Sequence, residues 1–250
     1  MNKLEMGRFK PLSYACTEAI NALCTNLTFT GDDKKVVMVT SAQSNEGKSF
    51  ISMNIMRTFA ELGKRVVLVD TDLRRSQITA KYGVRVKEGN GMGLSHYLAG
   101  MCSVEDALYE TNIENAYMVP LSREVSNSLS LLNNNRLQIL LQDLKSRFDY
   151  VIVDAPPVGI IIDAAEIAKH CDGVIITVKY NAVSRRELID VKNQIELTGC
   201  PILGVVLNSV SFESLTSKKY YHKSYYSHYD SDYYKPQGKK RKKRDQNPND

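Results

Sequence analysis

Lys48 and Ser49 close the run Ala42-Gln43-Ser44-Asn45-Glu46-Gly47-Lys48-Ser49, which lies between a β-branched stretch, residues 34–40 (KKVVMVT), and a stretch suited to a helix, residues 49–62. Phosphate binding requires this combination. Backbone N–H groups of such a loop can surround phosphate oxygens, and the helix N-terminus that follows adds positive potential. The lysine ammonium reaches the β and γ oxygens, and the serine hydroxyl ligates Mg²⁺. Phe50 extends the predicted nucleotide-binding run into the helix, and Ala42 stands where a Walker A loop usually opens with glycine. The plain alternative, a glycine-bearing turn with no chemistry, is disfavoured by the flanking elements.

Two further acidic patterns supply what phosphoryl chemistry needs next. Residues 67–74 read VLVDTDLR and place Asp70 and Asp72 at the carboxyl end of an apolar strand, where open α/β sheets bind their ligands. Two acids there can divide the tasks of holding Mg²⁺ and accepting the proton of an attacking hydroxyl, while Arg74 supplies compensating charge. Residues 148–157 (FDYVIVDAPP) form an apolar strand ending in Asp154, as a Walker B segment does, and Asp154 is expected to complete the Mg²⁺ shell. Lys48, Asp70 and Asp72 are therefore the predicted catalytic residues, and Ser49, Asp72 and Asp154 the predicted metal site. Alone, either acidic pattern is also compatible with a solvated strand end or a turn; beside the phosphate loop, the ligand reading is preferred.

The elements that must position these groups follow from periodicity. Short apolar runs at 34–40, 65–70, 149–153, 173–178 and 202–207 alternate with helical or turn-like sequence, which predicts an α/β fold with a mostly parallel sheet covered by helices on both faces. Gly63 suits the residue after a helix, and Ser184 with Glu187 forms a capping-box pattern opening a helix that ends near Gly199 and Pro201. Residues 11–23 can form a helix before the first strand. The predicted division is an N-terminal helical segment at 1–33 with a possible self-association role, a phosphate-loop domain at 34–210, and a tail at 211–250.

The chain has 250 residues, 43% hydrophobic and 24% charged, enough for one substantial core. No run approaches the ~20 apolar residues that cross a bilayer, so a cytoplasmic protein is expected. Five scattered cysteines, Cys16, Cys24, Cys102, Cys171 and Cys200, form no CxxC pair and read as reduced thiols. Residues 1–210 carry 23 Lys+Arg and 23 Asp+Glu, so the whole net charge of +5 falls in the last forty residues. Those residues are Tyr-, Ser-, Lys- and Asp-rich with few aliphatic side chains, the composition of a disordered segment.

Within that tail stand Tyr220, Tyr221, Tyr225, Tyr226, Tyr229, Tyr233 and Tyr234, half of the chain's 14 tyrosines. Their spacing makes no amphipathic face. They are expected to be phosphate acceptors, since a tyrosine in a disordered segment enters an active site at little folding cost; a sticky segment that binds a partner or nucleic acid by stacking is the alternative. Each phosphate adds about −1.5 to −2 charge at pH 7, so a few events would reverse the tail's positive excess. The run Lys239-Lys-Arg-Lys-Lys-Arg244 has three readings: a solvated tail, a weak contact with anionic lipid, or, least favoured, nucleic acid.

The three acidic and phosphate-loop segments, in this order, resemble the bacterial tyrosine kinases of capsule and exopolysaccharide synthesis. Further matching stretches are Thr25-Asn26-Leu27-Thr28-Phe29, Gly93-Leu94-Ser95 with Leu98-Ala99-Gly100, and Gly204-Val205-Val206-Leu207-Asn208; the likeness covers roughly residues 15–234. The resemblance implies a MinD-like P-loop domain using ATP and Mg²⁺ that autophosphorylates its C-terminal tyrosines. Partners so implied are a transmembrane adaptor of polysaccharide co-polymerase type that recruits the kinase to the inner face of the plasma membrane, a homo-oligomer exchanging tails in trans, and a cognate tyrosine phosphatase. It assigns Asp70 and Asp72 to proton acceptance and metal binding without saying which does which, and likens Asn208 to a residue that meets adenine.

Two departures from the family pattern bear on assembly and loop geometry. The self-association pattern Glu-x-x-Arg-x-x-Arg stands here as Glu18-x-x-Asn21-x-x-Cys24, without either guanidinium. The loop before Leu131, proline-rich in the family, reads Val125-Ser-Asn-Ser128. Two other readings share the loop: a MinD- or ParA-type positioning ATPase, whose second lysine is replaced here by Gln43, and a nucleotide-gated scaffold that transfers nothing.

Overall fold

The computed structural model describes residues 2–7, 9–159 and 162–210. Strands and helices alternate along the chain: β1 (Asn2–Glu5), α1 (Tyr14–Thr28), β2 (Val36–Ser41), α2 (Lys48–Glu61), β3 (Val66–Asp70), α3 (Ile78–Tyr82) and β4 (Arg85–Glu88). There follow α4 (Leu94–Leu98), α5 (Val104–Ala107), β5 (Tyr109–Glu110), β6 (Ala116–Val119), α6 (Ser128–Leu132) and α7 (Arg136–Arg147). The last elements are β7 (Tyr150–Asp154), α8 (Asp163–Ala168), β8 (Gly173–Lys179), α9 (Arg185–Glu196) and β9 (Ile202–Asn208).

One nine-stranded sheet runs in the order β4-β1-β5-β6-β3-β7-β2-β8-β9. The six strands from β6 to β9 are parallel throughout. β5 is antiparallel to β6, and β4 to β1. The expected mostly parallel α/β sheet is thus present. The central strands are continuous aliphatic runs because both their faces are covered. Val37, Val39, Leu68 and Ile152 face α1, α2 and α3 through Ile20, Leu27, Phe59 and Ile78. Val36, Met38, Val69 and Val153 face the opposite layer, where Leu137, Leu140, Ile167 and Val191 project from α7, α8 and α9.

The expected elements are in place, with shifted ends. The first helix begins at Tyr14 behind the N-cap Ser13 and runs five residues beyond the expected 23. Gly63 takes φ 76° after α2, and Ser184 with Glu187 makes the reciprocal capping box at α9. Residues 1–33 contribute a strand as well as a helix: β1 joins the sheet, pairing with β4 and β5. Strand β4 is exposed along its whole length and forms one border of the sheet. The chain leaves β2 toward β3 and β6, returns through β7, then crosses to β8 and β9, so the order reverses around β2 and β7. In open α/β sheets ligands bind beyond the carboxyl ends of the strands at such a reversal.

Candidate active site

The loop from Ala42 to Gly47 joins β2 to α2, and its shape follows from its residues. Ala42 turns its methyl into the core beside α9, so a side chain is accepted at this first loop position. Asn45 adopts φ 64° and Gly47, the N-cap of α2, φ 99°, two left-handed residues that curl the chain. The N–H of Gln43 is taken by the Glu46 carboxylate at 2.6 Å. The N–H groups of residues 44–50 have no acceptor among the described residues. Only part of this follows from any helix leaving its first amides unpaired; the rest is the loop's own. A concave row of free N–H groups at the start of a 14-residue helix fits phosphate oxygens. Lys48 is buried on the first turn, Ser49 beside it is partly exposed, and Phe50 packs against the α1/α2 core. Gln43, Ser44 and Asn45 are exposed, and the Gln43 amide donates to Glu187 of α9 at 2.6 Å.

Three aspartates converge on this loop. Asp70 and Asp154 end the neighbouring strands β3 and β7 directly opposite each other. Asp154 is 2% exposed and accepts from Ser49 Oγ at 2.7 Å and Ser52 Oγ at 2.9 Å. Burial pushes its pKa up to about 6, against the opposing pull of the Lys48 ammonium and the two serines. Asp70 is fully buried; Ser76 Oγ donates to its Oδ2, and its Oδ1 has no partner among the described residues. Burial first, and the Asp154 charge second, raise its pKa well above the usual carboxylate range. Asp72, two residues on, is partly exposed and accepts from the Arg75 N–H at 3.2 Å. Burial raises its pKa too, with Lys48 acting in the opposite direction. The loop, Lys48 and the three acids therefore meet at one sheet edge.

A divalent cation fits this donor set. Mg²⁺ takes one or two carboxylates with phosphate and water oxygens, rather than a full protein cage. Among the described residues no cluster of three or more His, Cys, Asp and Glu could hold a metal alone. Ser49 and Asp154, already 2.7 Å apart, are the residues that would hold it. The unpartnered Oδ1 of Asp70 and the raised carboxyl pKa values mark a site short of positive charge.

One placement differs from the sequence reading. Arg74 does not neutralise the acids of its own segment; it makes a two-pronged contact with Asp163 at the start of α8, Nε to Oδ2 at 2.9 Å and Nη2 to Oδ1 at 3.2 Å. Asp163 is 1% exposed and also accepts from the buried Ser128 Oγ. A planar guanidinium matches a carboxylate whose two oxygens are both presented, whereas Asp70 and Asp154 face serines. Sequence reasoning missed Asp163, whose visible signal was only an acid at a helix start. Asn208 lies against the loop itself, its amide donating to the Glu46 carbonyl at 2.9 Å. Of the two departures in the N-terminal pattern, Asn21 is exposed and Cys24 is wholly buried against α2. The segment 125–128 is pinned at both ends, by the Val125 N–H to Leu73 O at 2.8 Å and by Ser128. All five cysteines are free. No helix among the described residues is long and apolar enough to cross a membrane. The seven clustered tyrosines and the terminal basic run lie outside the described residues.

A phosphate loop after β2, with acids closing the strands β7 and β3 on one side of it, defines a P-loop nucleotide-binding protein. An AAA-domain family matches residues 34–199. MinD of Pyrococcus horikoshii, solved with Mg-ADP, superposes with a TM-score of 0.60 over 69% of both chains at 23% identity, a likeness of fold alone. The tyrosine-protein kinase CpsD of Streptococcus pneumoniae is 39% identical over 193 residues, 77% of this chain and 84% of that one. The kinase domain of the Escherichia coli tyrosine kinase ETK superposes with a TM-score of 0.74 at 25% identity, covering 83% of this chain and 84% of the other. The chain belongs to the bacterial tyrosine-protein kinases of capsule and exopolysaccharide systems.

Proposed function

We propose that this chain transfers the γ-phosphate of ATP, with Mg²⁺, to the tyrosines of its own C-terminal cluster, and through that modification regulates capsular or exopolysaccharide synthesis and export. The observation that carries the reading is the row of unpartnered N–H groups at residues 44–50 beside Lys48 and three aspartates. Residues 44–49 bind the β and γ phosphates, and Lys48 stabilises charge on the transferring group. Ser49 and Asp154 would hold Mg²⁺, which when bound would supply charge neutralisation at the phosphate oxygens. Asp72, the more exposed acid of its pair, supports assignment as proton acceptor. In the transfer the phenolic oxygen forms a bond to the γ phosphorus, the bond from that phosphorus to the β–γ bridging oxygen breaks, its electron pair leaves with ADP, and the phenolic proton passes to Asp72. Asp70 remains a buried neighbour that keeps the site electronegative for the cation.

The partners proposed are a transmembrane adaptor of polysaccharide co-polymerase type, which brings the kinase to the membrane, further copies of this chain, and a cognate phosphatase. Gln43, bound to Glu187 where a MinD-type ATPase carries its second lysine, speaks against the positioning-ATPase reading. The test incubates the chain with labelled ATP and Mg²⁺, with and without the adaptor's cytoplasmic segment. Phosphotyrosine that disappears in Lys48→Met supports the kinase; ATP hydrolysis without phosphotyrosine under both conditions selects the ATPase. Mixing the Lys48→Met chain with an active chain lacking residues 211–250 separates the modes of transfer, since label on the inactive chain requires transfer in trans.

A further inference from the structure

Asn208 closes β9, and its carboxamide is engaged at both ends by protein. Nδ2 donates to the Glu46 carbonyl at 2.9 Å, and Oδ1 accepts from the Ser209 N–H at 2.8 Å. At Gly47 the fit is closer still: a Cβ there would lie 2.0 Å from Asn208 Nδ2, at a φ of 99° that already disfavours any side chain. Glu46 is held separately through its buried carboxylate, which accepts from the Gln43 N–H at 2.6 Å and the Lys179 N–H at 3.1 Å. One loop residue is thus tied by its main chain to the end of β9 and by its side chain to the end of β8.

The peptide plane gives this tie its consequence. In a trans peptide the carbonyl of one residue and the N–H of the next point in opposite directions. Fixing the Glu46 carbonyl on Asn208 therefore turns the Gly47 N–H the other way, and that N–H belongs to the row with no acceptor among the described residues. We infer that Asn208 is a positioning residue of the phosphate cradle, acting through the Glu46 carbonyl on the binding of any polyphosphate, whatever base it carries. This differs from a role in reading adenine, which would act on one nucleotide and spare the others.

The inference rests on the nucleotide reading of the site, and titration calorimetry of the full chain with Mg²⁺ and ATP, GTP or inorganic tripolyphosphate distinguishes the two failures. If the unmodified chain binds none of the three, the nucleotide reading itself falls. Asn208→Ala is expected to weaken all three by a common factor, about five- to tenfold for one lost loop-fixing hydrogen bond, with the ATP-to-GTP ratio unchanged. Loss confined to ATP, or no loss, overturns the inference. A second arm excludes a merely structural effect: Gly47→Ala should cost less tripolyphosphate affinity in the Asn208→Ala background than alone, because the alanine methyl then no longer meets Nδ2. Equal cost in both backgrounds overturns it as well. Asn208→Ser is read by the same criteria should the alanine chain not fold.

Discussion

Replacing Asp154 with asparagine is expected to make the nucleotide-free protein more stable at neutral pH while removing its response to Mg²⁺ and ATP. The carboxyl titrates near 3.8 when free and at about 6 in the folded protein, chiefly because it is buried. Between these values the folded state binds more protons than the unfolded one, so the stability contributed is complete below pH 3.8 and is lost as pH rises through 6. At pH 7.5 the charged group therefore costs the fold about 3 kcal/mol. Asparagine can keep one of the acceptor contacts with Ser49 and Ser52 and gives up the other, about 1 kcal/mol. The net gain is about 2 kcal/mol, or roughly 4–8 °C in melting temperature for a unit of this size. Asp70 adds in the same direction, since the Asp154 charge is one cause of its raised pKa. Thermal unfolding in EDTA at pH 7.5 and pH 4 is the assay. The variant should melt above the parent at pH 7.5, and the difference should vanish or reverse at pH 4. A variant that melts lower at pH 7.5, or an equal difference at both pH values, refutes the reasoning.

Other perturbations have distinct signatures. Asp163→Ala strands Arg74 and the buried Ser128 hydroxyl and is expected to cost about 2–3 kcal/mol, at the low end for a broken pair because Arg74 keeps contact with water; urea unfolding measures it. Gly159→Ala would put a methyl 2.5 Å from the Ala42 carbonyl, so the loop must shift, and ATP affinity measured by calorimetry should fall with little change in fold by circular dichroism. Restoring the family's arginines should separate the two positions: Asn21→Arg, on an exposed helix face, is expected to change stability by less than about 0.5 kcal/mol, whereas Cys24→Arg buries a charge and should cost more than about 3 kcal/mol. Melting curves of the two single variants settle this contrast.

The parts of the fold legible in the sequence are those with a strong local cause. Four buried strands, β2, β3, β7 and β8, announce themselves as aliphatic runs because both faces are covered, while β9 is an aliphatic run that stays partly exposed; the phosphate loop is legible because glycine, lysine and serine each serve one geometric need. Strands β1, β4, β5 and β6 leave no clear signal in the sequence. β4 carries two charges of one sign and one of the other on an exposed border, and β5 has only two residues, so neither shows a periodic pattern. β1 is held by partners eighty or more residues away. Sequence motifs locate the acids of the site but not their partners. The sequence places Arg74 beside Asp70 and Asp72; its contact with Asp163 joins residues 89 positions apart, which is a property of the packed fold. Asn208 likewise meets Glu46 across 162 residues of sequence, a pairing no local pattern encodes.

The border strand β4 has a consequence for how chains can meet. Another strand added to this flank would have to align against Arg85, Lys87 and Glu88, with Lys87 already committed to Glu5 and Glu88 to Lys3. Docking there means breaking or burying two ion pairs for a ladder four residues long, so this flank is a poor template for sheet extension. Even at high local concentration, the chains are protected on this side against concatenating into a continuous ribbon.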